Sequence, residues 1–507
     1  MEGDGKKMTL KPIRIISKNI DENGGGEEAI LLSPITRMFH EPGYKFYILA
    51  IMGWKVPIDV DSIKAELQRK MLKHPRFSSL QVMDKLSHDG NGKMRWIPTT
   101  VNIDDHIILP QIAHNTMDDA DKLVQQYISN LSTTTIDMSK PLWDFHVLNM
   151  KTSQTEATCI FRFHHSLGDG VALISLLLSC FRTTSDPTSL PTIPVSSSKD
   201  KSNLSISNSR NNILSLMWKY VVKLWLFIKL LFNTIIDLFL ITATMLFLKD
   251  SRSPFMIAHV SNRQTFIYRT VSLDDIKLIK NATNTTVNDV ILGITQAALS
   301  RYINRSNEVE GKRKFWKRMR CRAAVTVNLR PTLGVQVVAE MIEKNTTVVQ
   351  GNCFGLAIFP LNITQLENSL DYVHKAKRSM DRKKHSLETR CTFNFIQLIF
   401  KLFGCRVATT FVGRVLSQTT LLFSNVAGPL EQVSLAGHPL AFLAPTCYGQ
   451  PTGLLIHACS YAKQLTFAVA VDEGLIPDPN QLGDDFVHSF MLIKEAALTK
   501  SRTNIDV

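Results

Sequence analysis

The sequence predicts an α/β (α+β) protein with two folded units, and three observations support that prediction. The chain has 507 residues, more than one ordinary hydrophobic core accommodates. Strand-like and helix-like segments alternate in both halves. Between the halves, residues 183–212 change to Ser, Thr, Pro, Asn and Lys, a composition typical of an exposed linker. The predicted divisions are an N-terminal unit at 1–182, a polar linker with a hydrophobic helical segment at 183–255, and a C-terminal unit at 256–507.

Hydrophobic patterning places the individual elements. In the first half it predicts strands at Lys45–Met52 and Ala157–Phe163, an amphipathic helix at Asp61–Lys73 and a buried helix at Val171–Cys180. In the second half it predicts a helix at Asn288–Ile303 and strands at Ala323–Val327, Phe354–Leu361, Thr419–Phe423, Leu454–Cys459 and Leu465–Val471. The second half therefore forms an α/β unit of similar size to the first.

The most hydrophobic segment is Ile213–Leu248, and its relation to a membrane stays open at this point. Its longest charge-free run, Leu238–Leu248, has eleven residues, whereas a clean transmembrane helix needs about 18 to 20 apolar residues. Its lysines lie near Trp218 and Trp225 at one end, a pattern that suits a helix lying in the membrane interface. The sequence is compatible with a span, an interfacial helix or a helix that covers the protein's own core.

The formal net charge is +14, which favours anionic partners such as phosphorylated cofactors or acidic membrane surfaces. Basic residues concentrate at Lys312–Arg322 and Lys375–Lys384. These clusters either face water or contact the phosphates of coenzyme A or of phospholipids, and without a recognised nucleic-acid motif we expect no nucleic-acid partner. The eight cysteines include no C-x-x-C pair, so we predict no metal site of that kind.

The sharpest motif is H-H-x-x-x-D-G, formed by His164, His165, Asp169 and Gly170 between a predicted strand and a buried helix. A histidine at the end of a strand is held rigidly, and a neutral imidazole can accept a hydroxyl proton near pH 7. Asp169 has a predicted structural role, orienting the backbone or pairing with an arginine. The competing interpretation is that the histidines only finish the strand and Asp169 caps the helix. Adjacent strand residues point to opposite faces, which argues against a shared metal site.

At this motif the sequence resembles the acyl-CoA-dependent acyltransferase superfamily, which includes chloramphenicol acetyltransferase, the plant BAHD enzymes and the condensation domains of peptide synthetases. Four further blocks are similar to the plant branch of the wax ester synthase/diacylglycerol acyltransferase family. They are Leu32–Phe39 (LSPITRMF), Pro141–Asp144 (PLWD), Asn288–Val290 (NDV) and Ser424–Pro429 (SNVAGP). The resemblance extends to DEGLIPDP, after Val471, and so covers nearly the whole chain.

The resemblance implies two chloramphenicol acetyltransferase-like domains with an active-site tunnel between them. It implies that His165 is the catalytic base, that acyl-CoA is a co-substrate, and that the acceptor is a long-chain fatty alcohol or diacylglycerol, with no metal or other cofactor. It also implies an enzyme of the endoplasmic reticulum membrane with its catalytic domains facing the cytosol, with the plasma membrane as the alternative location.

Two further pairs of residues each have two possible roles, one that the family resemblance implies and one that is purely structural. Asn288 and Asp289 precede an apolar helix, where they would serve as N-caps or support the site. Ser424 and Asn425 follow a likely strand, where they would form a turn, line the tunnel or donate to an oxyanion. His164, Asp169 and Gly170 are supporting residues in the same sense.

Two other functions compete with this interpretation. A BAHD-like enzyme would acylate a small soluble alcohol or amine, but the DFGWG signature of that group does not occur near the C-terminus, and a soluble acceptor does not require the hydrophobic segment. A non-catalytic lipid-binding scaffold would not need the intact motif. Ser166 is discounted as a nucleophile because it lacks a G-x-S-x-G elbow. The acceptor preference, the acyl chain length and the oligomeric state stay open.

Overall fold

The computed structural model describes residues 30–83, 93–112, 117–194, 213–256, 263–310, 319–330, 335–343 and 351–503. Most of the linker and the basic residues 312–318 lie outside these ranges. Within the described residues the protein is a mixed α/β structure, and the predicted fold class is confirmed.

The helices and strands have the following bounds. The helices are α1 Pro34–Met38, α2 Val60–Lys70, α3 Met117–Leu131, α4 Gly170–Cys180, α5 Ile213–Leu246, α6 Leu273–Thr283, α7 Val287–Glu310, α8 Val335–Glu343, α9 Leu370–Lys384, α10 Glu388–Ser417 and α11 Pro479–Thr503. The strands are β1 Ile30–Leu31, β2 Tyr47–Trp54, β3 Ser79–Met83, β4 Met94–Pro98, β5 Ile107–Ile108, β6 Trp143–Leu148, β7 Ala157–His164, β8 Arg182–Thr183, β9 Gln264–Ser272, β10 Cys321–Asn328, β11 Phe354–Leu361, β12 Leu421–Ala427, β13 Val433–Leu435, β14 His438–Tyr448, β15 Leu454–Tyr461 and β16 Gln464–Asp472.

The predicted elements are present, with shifted ends. The predicted strand at Phe354–Leu361 is observed with the same bounds as β11, and β7 extends one residue beyond the prediction, to His164. The predicted strand at Thr419–Phe423 begins later and continues to Ala427, so Ser424 and Asn425 lie inside β12. The predicted end of the strand before these two residues is therefore wrong, and the alternative that they form a turn is excluded.

The seven-stranded sheet of the N-terminal unit has the order β5-β6-β7-β2-β14-β13-β8. Two of its strands, β13 and β14, come from the C-terminal half of the chain. Every residue of β2 is buried, and β14 pairs with the edge of β2 that β7 leaves free, from Leu440 opposite Trp54 to Tyr448 opposite Tyr47. An open edge on so apolar a strand would be a site of aggregation. Sheet membership therefore does not follow the predicted division at 256–507, because residues 433–448 complete the first sheet.

The six-stranded sheet of the C-terminal unit has the order β11-β10-β12-β15-β16-β9. Its two faces belong to different hydrophobic cores. Ile456 and Phe467 pack in a core with residues of α6, α7 and α11. Leu455 and Ala468 face the other way and belong to the core that also contains the N-terminal sheet. The second face of this sheet therefore forms the boundary between the two units.

The basic cluster at Lys375–Lys384 lies on α9 and has a structural role. Arg382 and Lys383 pair with the buried Asp237 of α5, and Lys377 pairs with Asp381. The two predicted alternatives were a water-facing cluster and a phosphate-binding cluster. Part of the cluster instead neutralises a buried carboxylate.

Candidate active site

The H-H-x-x-x-D-G motif forms the junction between β7 and α4. The strand ends at His164, residues His165–Leu167 form a single 3-10 turn, and α4 begins at Gly170. Gly170 lies next to β12, because a Cβ atom there would be in ordinary van der Waals contact, 3.5 Å from Cγ2 of Val426. The motif thus contacts the C-terminal sheet.

His164 has a structural role. Its ring is buried, lies edge-on to Tyr47 with ring centroids 5.2 Å apart, and has its Nδ1 2.7 Å from the Ser166 hydroxyl. Burial holds the pKa of His164 well below its ordinary value. This histidine is therefore neutral and fixes the turn that presents the next residue.

His165 is held from two directions. Its backbone N–H donates to the carbonyl of Phe46 at 2.8 Å. The side-chain amide of Asn352 donates to the His165 carbonyl at 2.9 Å, and Asn352 Oδ1 lies 3.1 Å from His165 Nδ1. Because the Asn352 oxygen can only accept, Nδ1 carries the proton and donates to it. The other nitrogen, Nε2, is then the basic one, and it makes no hydrogen bond to another described residue.

Aromatic rings surround the His165 imidazole. Phe39 stacks on it with ring centroids 4.3 Å apart, and the rings of Phe354 and Phe46 lie at 6.0 and 6.4 Å. The surroundings are therefore apolar, and burial lowers the pKa of His165 below its ordinary value of 6.5, although Asp169 and Asn352 partly oppose that shift. The imidazole is consequently neutral at pH 7 and able to accept a proton.

Asp169 contacts three partners, and the imidazole is not among them. One carboxylate oxygen accepts from the backbone N–H of Ala172 at 3.0 Å and caps α4. The other accepts from the guanidinium of Arg330 and from the backbone N–H of Cys353 at 3.0 Å. The carboxylate therefore links α4 to residues that follow β10 and precede β11. This is the pairing with an arginine that the sequence analysis allowed.

Arg76 supports the same turn and was not predicted. Its guanidinium donates to the carbonyl of Leu167 at 2.6 Å and lies over the ring of Trp96. Burial, together with the nearby Arg330, lowers the pKa of Arg76 to about 10, so the group stays charged at pH 7. No feature of the surrounding sequence distinguishes this arginine from the many exposed ones.

Asn288 and Asp289 lie in the first turn of α7, and neither of them is its N-cap. Thr286 has that position: its hydroxyl accepts from the Asp289 backbone N–H at 3.3 Å, and its own N–H donates to Asp289 Oδ2 at 2.9 Å. The prediction of an Asn or Asp N-cap is corrected to a reciprocal capping box. Asn288 Oδ1 accepts from the side chain of Asn425 at 2.5 Å, so a predicted supporting residue contacts a predicted tunnel or oxyanion residue.

His457, which was not predicted from the sequence, is paired with Ser424 in the sheet. The two residues are register partners on β12 and β15. The His457 ring is buried, its Nε2 lies 3.7 Å from the Cys447 sulfur, and its Nδ1 has no hydrogen-bond partner within the described residues. Burial, with His165 nearby, lowers the pKa of His457 to about 4. A neutral, unpartnered ring nitrogen therefore lies at the boundary between the units.

Comparison with known proteins decides the family. The model of the wax ester synthase/diacylglycerol acyltransferase catalytic domain matches residues 43–291, and the model of the WS/DGAT C-terminal domain matches residues 350–494. Wax ester synthase/diacylglycerol acyltransferase 6 of Arabidopsis thaliana is 40% identical over 505 residues, covering 96% of this chain and 97% of the relative. The chain belongs to the wax ester synthase/diacylglycerol acyltransferase family.

Solved structures agree with the WS/DGAT fold. A wax ester synthase/diacylglycerol acyltransferase from Marinobacter aquaeolei VT8 superposes with a TM-score of 0.59 at 16% identity, covering 92% of this chain and 99% of that structure. TRI3 trichothecene 15-O-acetyltransferase from Fusarium sporotrichioides superposes with a TM-score of 0.53 at 12% identity, covering 92% of this chain and 94% of that structure. The two-domain acyltransferase fold implied by the sequence resemblance is thereby confirmed.

The two WS/DGAT segments meet at His165. The catalytic-domain segment supplies the imidazole of His165, and Phe39 precedes that segment in the chain. The C-terminal segment supplies Asn352 and Phe354. The PLWD block has a structural position: Trp143 is fully buried, and Asp144 pairs with the buried Arg162. Within the described residues, no group of three His, Cys, Asp or Glu side chains could hold a metal ion.

If His165 is the catalytic base, as the sequence resemblance implies, Asn352→Ala should lower kcat by about 10²-fold, because a small displacement of a catalytic group costs about that much. Asn352 is a positioning residue, so the pH profile provides a second measurement. In Asn352→Asp the carboxylate still accepts from Nδ1 and stabilises the imidazolium, which should move the acidic limb of kcat/KM to higher pH. An unchanged rate and profile in both variants would remove Asn352 from this role.

Proposed function

We propose that this WS/DGAT family member transfers a long-chain acyl group from acyl-CoA to the hydroxyl of a long-chain fatty alcohol, and also to that of diacylglycerol. His165 is the general base in this proposal. The observation that carries it is the geometry of that imidazole, whose Nδ1 is held by Asn352 while Nε2 makes no hydrogen bond to another described residue. The names of the relatives refer to both reactions.

In the proposed reaction the acceptor hydroxyl gives its proton to Nε2 of His165 as its oxygen attacks the thioester carbonyl. The carbon–sulfur bond of the tetrahedral intermediate then breaks, and the leaving thiolate takes the proton back from the imidazolium. Ser424 and Asn425 are the candidate donors to the oxyanion. Transfer from thioester to ester runs downhill, so positioning, proton transfer and oxyanion stabilisation suffice. We therefore propose that no metal or other cofactor takes part.

A small apolar pocket beside the motif, about 40 Å³ in volume, matches the apolar character of an acyl chain but has room for only a short stretch of one. It lies between α4, the seven-stranded sheet and Val426 of β12, with Gly170 in its lining. Its lining includes Ala50, Leu173, Ile174, Leu177, Val426 and Leu443. Each further methylene that the protein buries would contribute about 0.8 kcal/mol, so the proposal expects the affinity to rise with acyl chain length.

The proposed location is the endoplasmic reticulum membrane with both catalytic domains facing the cytosol, and the plasma membrane is the alternative. Two helices of the described residues, Met217–Leu246 and Glu388–Ser417, are by length and composition long and apolar enough to cross a membrane. All eight cysteines are free, which fits a reducing compartment. Fractionation of the tagged full-length chain against markers for both membranes distinguishes the two locations.

The test of the proposed function is an acceptor panel. The purified full-length protein is given long-chain acyl-CoA with hexadecanol, with diacylglycerol or with a small soluble phenol, and ester formation is quantified by mass spectrometry. The proposal expects esters of the first two acceptors. Acylation of the phenol alone would favour the BAHD-like alternative, and the absence of any ester would favour the lipid-binding scaffold.

The pH dependence of the rate provides a separate prediction. Burial lowers the pKa of His165, so the neutral form that acts as base persists below the ordinary value of about 6.5. We expect kcat/KM to fall on the acidic side with a midpoint below pH 6.5, as the imidazole becomes protonated. Initial rates between pH 4.5 and 9 measure this, with the folded state checked at each pH. A midpoint above pH 6.5 would contradict it.

A further inference from the structure

The position of α5 in the sheet topology bears on how the protein meets a membrane. The strands β2 and β8 precede α5 in the chain, whereas β13 and β14 follow it. Nevertheless, β2 pairs with β14 and β8 pairs with β13 in one continuous sheet. A helix that crossed a bilayer once would place these paired strands on opposite sides. A single crossing by α5 is therefore incompatible with the fold.

The C-terminal part of α5 is bound to the protein. Asp237 is completely buried and pairs with Arg382 and Lys383. The side-chain amide of Asn233 donates to the carbonyl of His385 at 3.0 Å. This part of the helix cannot be surrounded by lipid, because breaking the contacts of Asp237 would leave a charge unpaired in an apolar medium.

The N-terminal part of α5 has a different environment. All residues from Met217 to Ile228 are exposed, so this stretch projects from the body of the protein. The large apolar side chains on α5 that are at least half exposed are Met217, Trp218, Tyr220, Val221, Leu224, Trp225, Phe227, Ile228, Phe232, Ile235, Phe239 and Leu246. So large a contiguous apolar surface normally marks an interaction site.

The helix α10 extends this surface. It packs beside α5, where Arg414 Nε donates to the Met245 carbonyl at 2.8 Å and Val415 shares a small apolar core with Ile241. The outward face of α10 exposes five large apolar side chains, Phe395, Leu398, Leu402, Phe403 and Val407. The two exposed sets together are called the apolar platform below.

The charges on the apolar platform match an anionic lipid surface. The exposed cations include Lys219 and Lys223 on α5 and Lys401, Arg406 and Arg414 on α10. The acidic residues of the two helices are Asp237 and Glu388, and both are buried and paired with Lys383. Cations beside exposed tryptophans, with no exposed carboxylate, are typical of helices that lie at the headgroup level of a bilayer.

We propose that the apolar platform docks on one leaflet of an anionic lipid bilayer without crossing it, so that both acyltransferase domains stay on the same side. The opposite face of α10 adjoins α1, since Phe400 lies under the guanidinium of Arg37 at 5.8 Å. Phe39, directly after α1, stacks on His165. The helix α10 thus connects the bilayer, where a lipid alcohol dissolves, with the catalytic base. This connection rests on the proposed function.

A topology experiment tests the one-sided docking. The full-length chain, with different tags at its two ends, is made in sealed microsomes and treated with protease. Docking on one leaflet predicts that both tags are digested and that the sequon at Asn284, which follows α5 in the chain, stays unglycosylated. Protection of one tag only, or glycan addition at Asn284, would overturn the proposal. Neither readout depends on transferase activity.

A vesicle experiment tests the contribution of α10. Flotation with phosphatidylcholine/phosphatidylserine vesicles compares the wild type with Leu402→Glu/Phe403→Glu, whose side chains are 62% and 65% exposed. The matched control is Leu430→Glu/Met491→Glu, at similarly exposed apolar positions of 52% and 54% away from the platform. We expect binding to fall at least tenfold in the first variant only, with unchanged circular dichroism. Equal binding by both variants would overturn the role of α10.

A ratio of two rates tests whether α10 delivers the acceptor to the active site. The ratio of the rate on bilayer-resident hexadecanol to the rate on dispersed hexanol should fall about tenfold in Leu402→Glu/Phe403→Glu and stay constant in the control. A constant ratio in both would contradict delivery along α10. If the wild type made no ester at all, the proposed function would fail while the docking experiments kept their meaning.

Discussion

His165→Ala is expected to lower kcat for ester formation by about 10²- to 10⁴-fold, the usual contribution of a general base. The reason is that Nε2 of this ring lacks a hydrogen-bond partner in the described structure and lies among Phe39, Phe46 and Phe354. Two neighbouring histidines differ from it: His164 Nδ1 bonds to Ser166, and His457 Nε2 lies 3.7 Å from the Cys447 sulfur. Single-turnover rates with long-chain acyl-CoA and hexadecanol provide the measurement.

Controls for this prediction separate chemistry from binding and folding. Because the imidazole acts on the acceptor proton, the variant should retain the affinity for acyl-CoA, measured by calorimetry with a non-hydrolysable thioether analogue. His164→Ala provides the contrast: its ring is buried and supports the turn, so we expect lower stability accompanied by a smaller loss of rate per folded molecule. Full ester formation by His165→Ala would remove the general base from the proposed mechanism.

The parts of this site that follow from local pattern could be predicted from the sequence. An apolar strand that ends at paired histidines, followed by glycines and a continuous apolar helix, places His165 on a turn between β7 and α4, as observed. The local pattern also limits the possible roles of Asp169. Because Asp169 follows His165 by four residues in a tight turn, its carboxylate is free to cap a helix or to pair with a cation.

The partners of these residues could not be predicted, because the pattern along one segment carries no information on which distant segment it meets. Asn352 is 187 residues from His165, and Arg330 is 161 residues from Asp169. The insertion of β14 beside β2 is invisible for the same reason. The apolar character of α10 was missed because Lys401, Gly404 and Arg406 interrupt it, and Gly404 lies at a kink, with a φ of 81°.

Asp169→Ala is expected to destabilise the protein by about 3 to 5 kcal/mol, the usual effect of removing one partner from a buried ion pair. Arg330 would keep its charge in a largely buried position, α4 would lose its N-cap, and the backbone N–H of Cys353 would lose its acceptor. Asp169→Asn keeps an oxygen for the cap and loses the charge, so its effect should be intermediate. Urea unfolding followed by circular dichroism measures both variants.

The comparison with an exposed ion pair tests whether burial is the cause. Lys151 and Glu156 lie 2.7 Å apart, but their side chains are 54% and 37% exposed, and such pairs contribute about 0 to 1 kcal/mol. Glu156→Ala should therefore change the unfolding free energy by less than about 1 kcal/mol. In the double variant Asp169→Ala/Arg330→Met no unpaired cation is left, and part of the lost stability should return. If the double variant were as unstable as the sum of its single variants, Asp169 and Arg330 would not be energetically coupled, and the carboxylate would act only as the cap of α4.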